Sequence, residues 1–171
     1  MTNEPDTVPR LAGVHHLKLP VSDLNRSQQW YESRLGYRPV QEFHEDGALK
    51  GIVMEHPNGG PSFALRLDPE RARAAAGFDY FSIGVPDKQA IESLAAQLTA
   101  QGEEHAGVHV ASLGWILPMV RDPDGHEIRF YTILHHTETA EDRVRIVDDA
   151  VATEDQRARN LEARDNKPQV S

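Results

Sequence analysis

A chain of 171 residues with a formal charge of −9 and 39% hydrophobic residues is long enough for one ordinary domain, or for two small units sharing a core, and a second independent domain is not expected. It has no cysteine, which excludes disulfides, thiolate metal sites and a cysteine nucleophile. The acidic balance, without any basic cluster carrying interleaved aromatics, argues against nucleic acid as a partner, and the longest apolar runs, such as Trp115 to Val120, are far too short to cross a bilayer. No charged-then-apolar leader opens the sequence, so a soluble, cytoplasmic protein with no membrane partner is predicted.

Residues 1–12 (MTNEPDTVPRLA) are polar, carry two prolines and read as a flexible arm. HHLKLPV then reads as a strand. Ser22 or Asp23 can cap a helix over LNRSQQWYESRL, where Leu24, Ser27, Tyr31 and Leu35 are spaced for one buried stripe, and Gly36 ends it. Strand candidates follow at YRPVQEF, GIVMEH and SFALRL, the last two separated by the turn signal PNGGP.

The same order then repeats. YFSIGVPD at 80–87 lines up with HLKLPVSD at 16–23, with Val21 matched by Val85 and Asp23 by Asp87. Asp87 caps a second helix whose Ile91, Leu94, Ala95 and Leu98 share a face, and Gly102 closes it. Strands near HAGVHVA, GWILPMVR and EIRFYT complete the copy, the last pair joined by DPDG, in which Pro123 fixes φ and Gly125 can take a positive φ. A small sheet with one helix leaves an apolar face uncovered, so the duplication predicts that two copies pack together.

From Thr137 to Ser171 the composition changes to nine acidic and six basic residues with no aromatics. Thr153 with Gln156 forms a capping-box pattern, and Val144, Val147 and Val151 make a thin apolar stripe, so short helices or a solvated extension are both compatible with residues 134–171.

The opening strand followed by DLNRSQQWYESRLG, and the closing RDPDGHEIRFY, resemble the vicinal oxygen chelate superfamily, which includes glyoxalase I, extradiol dioxygenases, fosfomycin-modifying enzymes and bleomycin-binding proteins. The resemblance covers residues 13–133. It implies an α+β fold of two βαβββ modules, 13–68 and 78–133, forming a cup-shaped mixed sheet with helices outside, and a homodimer. It implies the scaffold more sharply than the activity, because members differ in what the cup holds.

In metal-dependent members four strands each give one ligand, usually a histidine near the start of each module and a carboxylate on its last strand. Matched by motif, these positions are His16 in HHLKLPV, Arg66 in FALRL, Tyr80 in DYFSIGV and Arg129 in EIRFY. Three of the four are lost as ligands, since a guanidinium has no lone pair to donate and stays charged. No cofactor is expected at the usual place. The alternative is a divalent ion (Fe, Mn, Ni or Zn) in a displaced site on His16 and Glu127, serving a glyoxalase- or dioxygenase-like lyase or oxidoreductase.

Strand alternation places His16 with Lys18, Ala64 with Arg66, and Glu127 with Arg129 and Tyr131 on common faces, leaving Leu17, Leu19, Ile128 and Phe130 for the helices. Lining a cup, His16, Lys18, Arg66, Tyr80, Arg129 and Tyr131 suit a carboxylate, phosphate or enolate, with Trp115 and Met119 as an apolar wall. Two other outcomes follow from the same residues. Arg66 and Arg129 can simply pair with Glu55 or Glu127 in a satisfied ionic network, or Glu127 or His16 can move a proton beside an arginine-stabilised enolate. Among the other histidines, His15 is expected to point away from His16, the spacing of His105 and His109 is read as chance, His126 shapes the turn, and His135 and His136 follow the last strand. The expectation drawn from all this is a protein that binds a small anionic or aromatic molecule.

Overall fold

The computed structural model describes residue 11, residues 13–111 and residues 113–134. The tail beyond residue 134, with its expected helices and histidines, and all of the N-terminal arm except the exposed Leu11 lie outside the described residues. The chain divides into two compact units, one running to Ala76 and taking in Pro123–Gly125, the other holding Gly77–Asp122 and the chain from His126 onward.

The first unit runs β1 (Leu17–Val21), α1 (Leu24–Leu35), β2 (Arg38–Glu45), β3 (Ala48–Glu55), β4 (Phe63–Leu67) and α2 (Pro69–Ala75). Its sheet has the order β1-β4-β3-β2, with β1 parallel to β4 and the other pairs antiparallel. α1 forms where the capping signals fall. The Asp23 carboxylate accepts from Arg26 N at 2.9 Å, contributing about 1 kcal/mol. Gly36, in the left-handed region at φ 76°, lets Tyr37 N reach Tyr31 O at 3.1 Å and end the helix. The expected stripe of Leu24, Ser27, Tyr31 and Leu35 is buried, joined by Trp30. It packs on the face of the sheet that carries Leu19, Val21, Ile52, Met54, Phe63 and Leu65, with the Tyr31 and Phe63 rings 5.3 Å apart. Each such apolar side chain taken from water contributes roughly 1.5–3 kcal/mol.

The second unit repeats the pattern as β5 (Ser82–Val85), α3 (Lys88–Ala100), β6 (His109–Val110), β7 (Trp115–Arg121) and β8 (Glu127–Thr132), with sheet order β5-β8-β7-β6. Asp87 caps α3 by accepting from Ala90 N at 2.9 Å, and Ile91, Ala95 and Leu98 are buried against the sheet. The two expected βαβββ modules of an α+β fold are present. α2 was not foreseen, although Asp68, Pro69 and Glu70 are a start signal: Asp68 accepts from Arg71 N at 3.1 Å and proline occupies the first turn. Among the described residues no helix is long and apolar enough to cross a membrane.

Candidate functional site

The DPDG turn aims β8. Asp122 accepts from His126 N at 3.0 Å and its own N–H donates to His126 O at 3.1 Å, so His126, only 1% exposed, shapes the turn as expected. From there Ile128 and Phe130 enter the core beneath α3, and Glu127, Arg129 and Tyr131 take the opposite face.

Arg129 on that face is paired with two carboxylates. Its Nε donates to Glu127 Oε1 at 2.9 Å and lies 3.0 Å from Asp79 Oδ2 in a second ion pair, and only 14% of its side chain is exposed. Partial burial works against the charge, but the hydrogen bond and field of Glu127, the field of Asp79 and a bond with Tyr131 outweigh it and push the guanidinium pKa up. The ionic network with Glu127 foreseen for Arg129 is therefore present, with Asp79 as an additional member that no sequence signal marked. Glu127 Oε1 also accepts from Met119 N at 3.2 Å. This bond helps hold Met119 at φ 64°, left-handed for a residue with a side chain, where the β7–β8 ladder shifts register between Leu117 and Val120. Met119 lines a cavity of about 670 Å³ together with Thr99, His105 and Arg121.

Tyr80 stands half exposed just before β5, edge-on to Phe78 at 4.9 Å and to His126 at 5.9 Å. Trp115 corrects an expectation. It shares a face with Leu117, which pairs with the buried Phe130, and its ring lies under the Lys88 ammonium at the start of α3, 5.3 Å away. It belongs to the α3 side and cannot wall a site with Arg129 and Tyr131.

In the first unit Lys18, Ala64 and Arg66 share the face opposite α1, as alternation predicts. Arg66 is paired with Glu45 and not with Glu55: both guanidinium NH2 groups donate to the two carboxylate oxygens, each at 2.7 Å. Glu45 ends β2 at a two-residue hairpin turn, Asp46–Gly47, whose φ values of 51° and 76° are both positive. A register shift between Phe43 and His44 brings its side chain round to Arg66. The Asp-Gly signal marked the turn, whereas the bulge left no trace in the alternation. The bond to Arg66, with Arg66, Lys50 and Lys18 charges nearby, holds the Glu45 carboxyl below the usual range. His16 lies exposed just ahead of β1. Because the strand has not begun there, His15 and His16 do not point apart as expected: their Nδ1 atoms are 2.9 Å from each other. His105 and His109 are tied separately, His105 to Ala95 O and His109 to Ala106 O, so their spacing makes no metal pair.

The residues at the four expected ligand positions do not suit a divalent ion. Two are guanidiniums, one is a phenol, and the nearest carboxylate to Arg129, Glu127, is already bonded to that cation. Among the described residues no group of three or more His, Asp or Glu side chains is arranged to hold a metal.

A family model, described as the Glyoxalase/Bleomycin resistance protein/Dioxygenase superfamily, matches residues 13–130. The chain belongs to that superfamily. Similar solved structures include the glyoxylase/bleomycin resistance protein/dioxygenase domain from Frankia sp. EAN1pec, 24% identical with a TM-score of 0.59 over 74% of this chain and 100% of that one. A genomically encoded fosfomycin resistance protein from Listeria monocytogenes is 12% identical with a TM-score of 0.56, over 79% and 100%. An antibiotic binding protein from Streptomyces sp. CB03234 is 15% identical with a TM-score of 0.59, over 73% and 98%. At these identities the likeness concerns the fold. No curated protein matches the sequence. At the two closing-strand positions where the resemblance leads one to expect carboxylates, this chain carries Arg66 and Arg129.

Proposed function

We propose that this member of the superfamily binds a small anionic or aromatic molecule without a divalent metal, and that the face of the first sheet opposite α1 supplies the charge. The observation that carries this is Arg66. It is a guanidinium at a position the resemblance assigns to a metal-binding carboxylate, still 37% exposed, with Lys18 on the same face and Lys50 near its partner Glu45. A fixed cation there repels a metal ion and attracts a planar oxyanion. Arg129 is the lesser contributor, because two carboxylates already answer its charge. Glu127 holds Arg129 and Met119 in place in preference to moving a proton.

The test is binding in chelator-treated buffer, by calorimetry, of benzoate, 4-hydroxybenzoate and inorganic phosphate, alongside metal analysis of protein purified without chelator. Saturable binding by at least one anion, weakened by Arg66→Met and by Lys18→Met, is the expected result. Stoichiometric Fe, Mn, Ni or Zn that disappears in His16→Ala would overturn the assignment in favour of a metal-dependent enzyme.

A further inference from the structure

The ion pair between Arg66 and Glu45 has the geometry of a bound ligand. Two parallel N–H···O bonds of 2.7 Å join the guanidinium fork to a planar carboxylate, the arrangement by which arginine captures carboxylate ligands from solution. We propose that Glu45 is a built-in competitor: its carboxylate occupies the Arg66 fork in the free protein, and a small planar carboxylate binds by displacing it. The inference rests on the anion-binding reading above and adds to it both the ligand class and the mode of entry.

Three features allow the exchange. Glu45 sits at the last position of β2 beside the Asp46–Gly47 turn, on a strand exposed along all eight of its residues, so its side chain can swing out without disturbing the core. Both partners are solvated, with side-chain exposures of 37% for Arg66 and 54% for Glu45, and water screens such a pair strongly. The charge balance also survives the exchange. Lys18 and Lys50 make no ion pair among the described residues yet lie close enough to act on the Glu45 carboxyl, so they can answer the released carboxylate while the ligand takes the fork.

The surroundings favour a flat ligand. Across the ladder from Arg66 is Gly51, against which the Phe43 ring packs: a Cβ there would stand 3.0 Å from Leu65 O and 3.6 Å from Phe43 Cδ2. Phe43 keeps 43% of its surface exposed and presents apolar area beside the fork. An aromatic carboxylate can rest its ring near Phe43 while its carboxylate meets Arg66 in plane.

The experiment compares benzoate with its neutral isostere benzamide, in chelator, on the full chain and on Glu45→Gln, Arg66→Met and the double variant. Glu45→Gln removes the competitor's charge and keeps its shape, so benzoate should bind about three- to tenfold tighter while benzamide is unaffected. Arg66→Met should abolish the benzoate gain in both backgrounds. An unchanged near-UV circular dichroism spectrum for Glu45→Gln verifies its fold. If the wild-type chain binds benzoate saturably and Glu45→Gln leaves it unchanged or weaker, or tightens benzamide equally, the competitor role is overturned while anion binding stands. If neither protein binds benzoate, 4-hydroxybenzoate or phosphate, both proposals fall together.

Discussion

Asp124 receives Ser22 from 102 residues earlier in the chain: the backbone N–H donates to its two oxygens at 3.2 and 3.1 Å and the hydroxyl at 2.5 Å. Ser27 Oγ at 3.3 Å and the Arg26 guanidinium at 3.0 Å complete the shell, and the Asp124 side chain is only 5% exposed. Pro123–Gly125 of the DPDG turn thus belong by contact to the first unit, whereas Asp122 belongs to the second. Replacing Asp124 by alanine strips these donors of their acceptor, including the buried Ser27 hydroxyl at the heart of the α1 stripe. A loss of about 2–3 kcal/mol is expected, read as a lower urea midpoint with an unchanged slope. Asp124→Asn retains one acceptor oxygen and should lose less.

The Arg129 cluster yields a second prediction. Arg129→Met leaves Glu127, whose side chain is 9% exposed, facing Asp79 without their shared cation, and should destabilise by about 2–3 kcal/mol. Glu127→Gln keeps an acceptor for both Arg129 Nε and Met119 N and should cost about 1 kcal/mol. The double variant Glu127→Gln, Arg129→Met should be more stable than the sum of the two losses, because the second change removes the charge that the first one stranded. Additive losses in urea denaturation would show that the pair contributes no coupling.

Much of this fold was legible because its signals are local and duplicated. Asp23 and Asp87 cap equivalent helices, Gly36 ends the first, and the β8 alternation of Ile128 and Phe130 against Arg129 and Tyr131 is clean. What the alternation missed lies at the bulges. A period of two carries no information across an extra residue, so the shift at Phe43/His44 hid Glu45 behind the expected Glu55. The shift after Leu117 likewise allowed Met119 and Trp115 to be grouped as one wall, although Trp115 follows Leu117 to the α3 side. Asp79 was hidden for a different reason: it precedes β5, where a side chain's direction is set by the loop and not by the pleat.

Gly114 gives a third prediction, one of close packing. It is buried, and a Cβ added there would collide with Thr132 Oγ1 and lie 3.2 Å from Leu134 O. Thr132 cannot simply rotate away, because its hydroxyl oxygen accepts from Trp115 N at 3.0 Å and opens the β7–β8 ladder. Gly114→Ala should therefore destabilise by about 1–3 kcal/mol. The double variant Gly114→Ala, Thr132→Val, which exchanges the hydroxyl for a methyl, should recover none of this loss. Gly114→Ala with Thr132→Ala should recover part of it by making room. Thermal melting of the three proteins reads the difference.

The last prediction concerns acid. Glu45 is held below its ordinary value of 4.5 chiefly by the bond from Arg66, and Asp68 below 3.8 chiefly by the Arg71 backbone N–H and then by its guanidinium. A carboxylate whose pKa is depressed in the folded state binds its proton more weakly there than in the unfolded chain, so its contribution to stability is complete above the ordinary value and lost as pH falls through the lowered one. Glu45 is exposed and Asp68 partly so, so each effect is small and weakens further with salt. Urea midpoints measured between about pH 6 and pH 2 should fall on the acid side, and the fall should flatten in Glu45→Gln and again in Asp68→Asn. The salt dependence separates the two. Much of the Asp68 shift comes from a backbone hydrogen bond at the start of α2 and should persist in high salt, whereas the Arg66–Glu45 share should shrink.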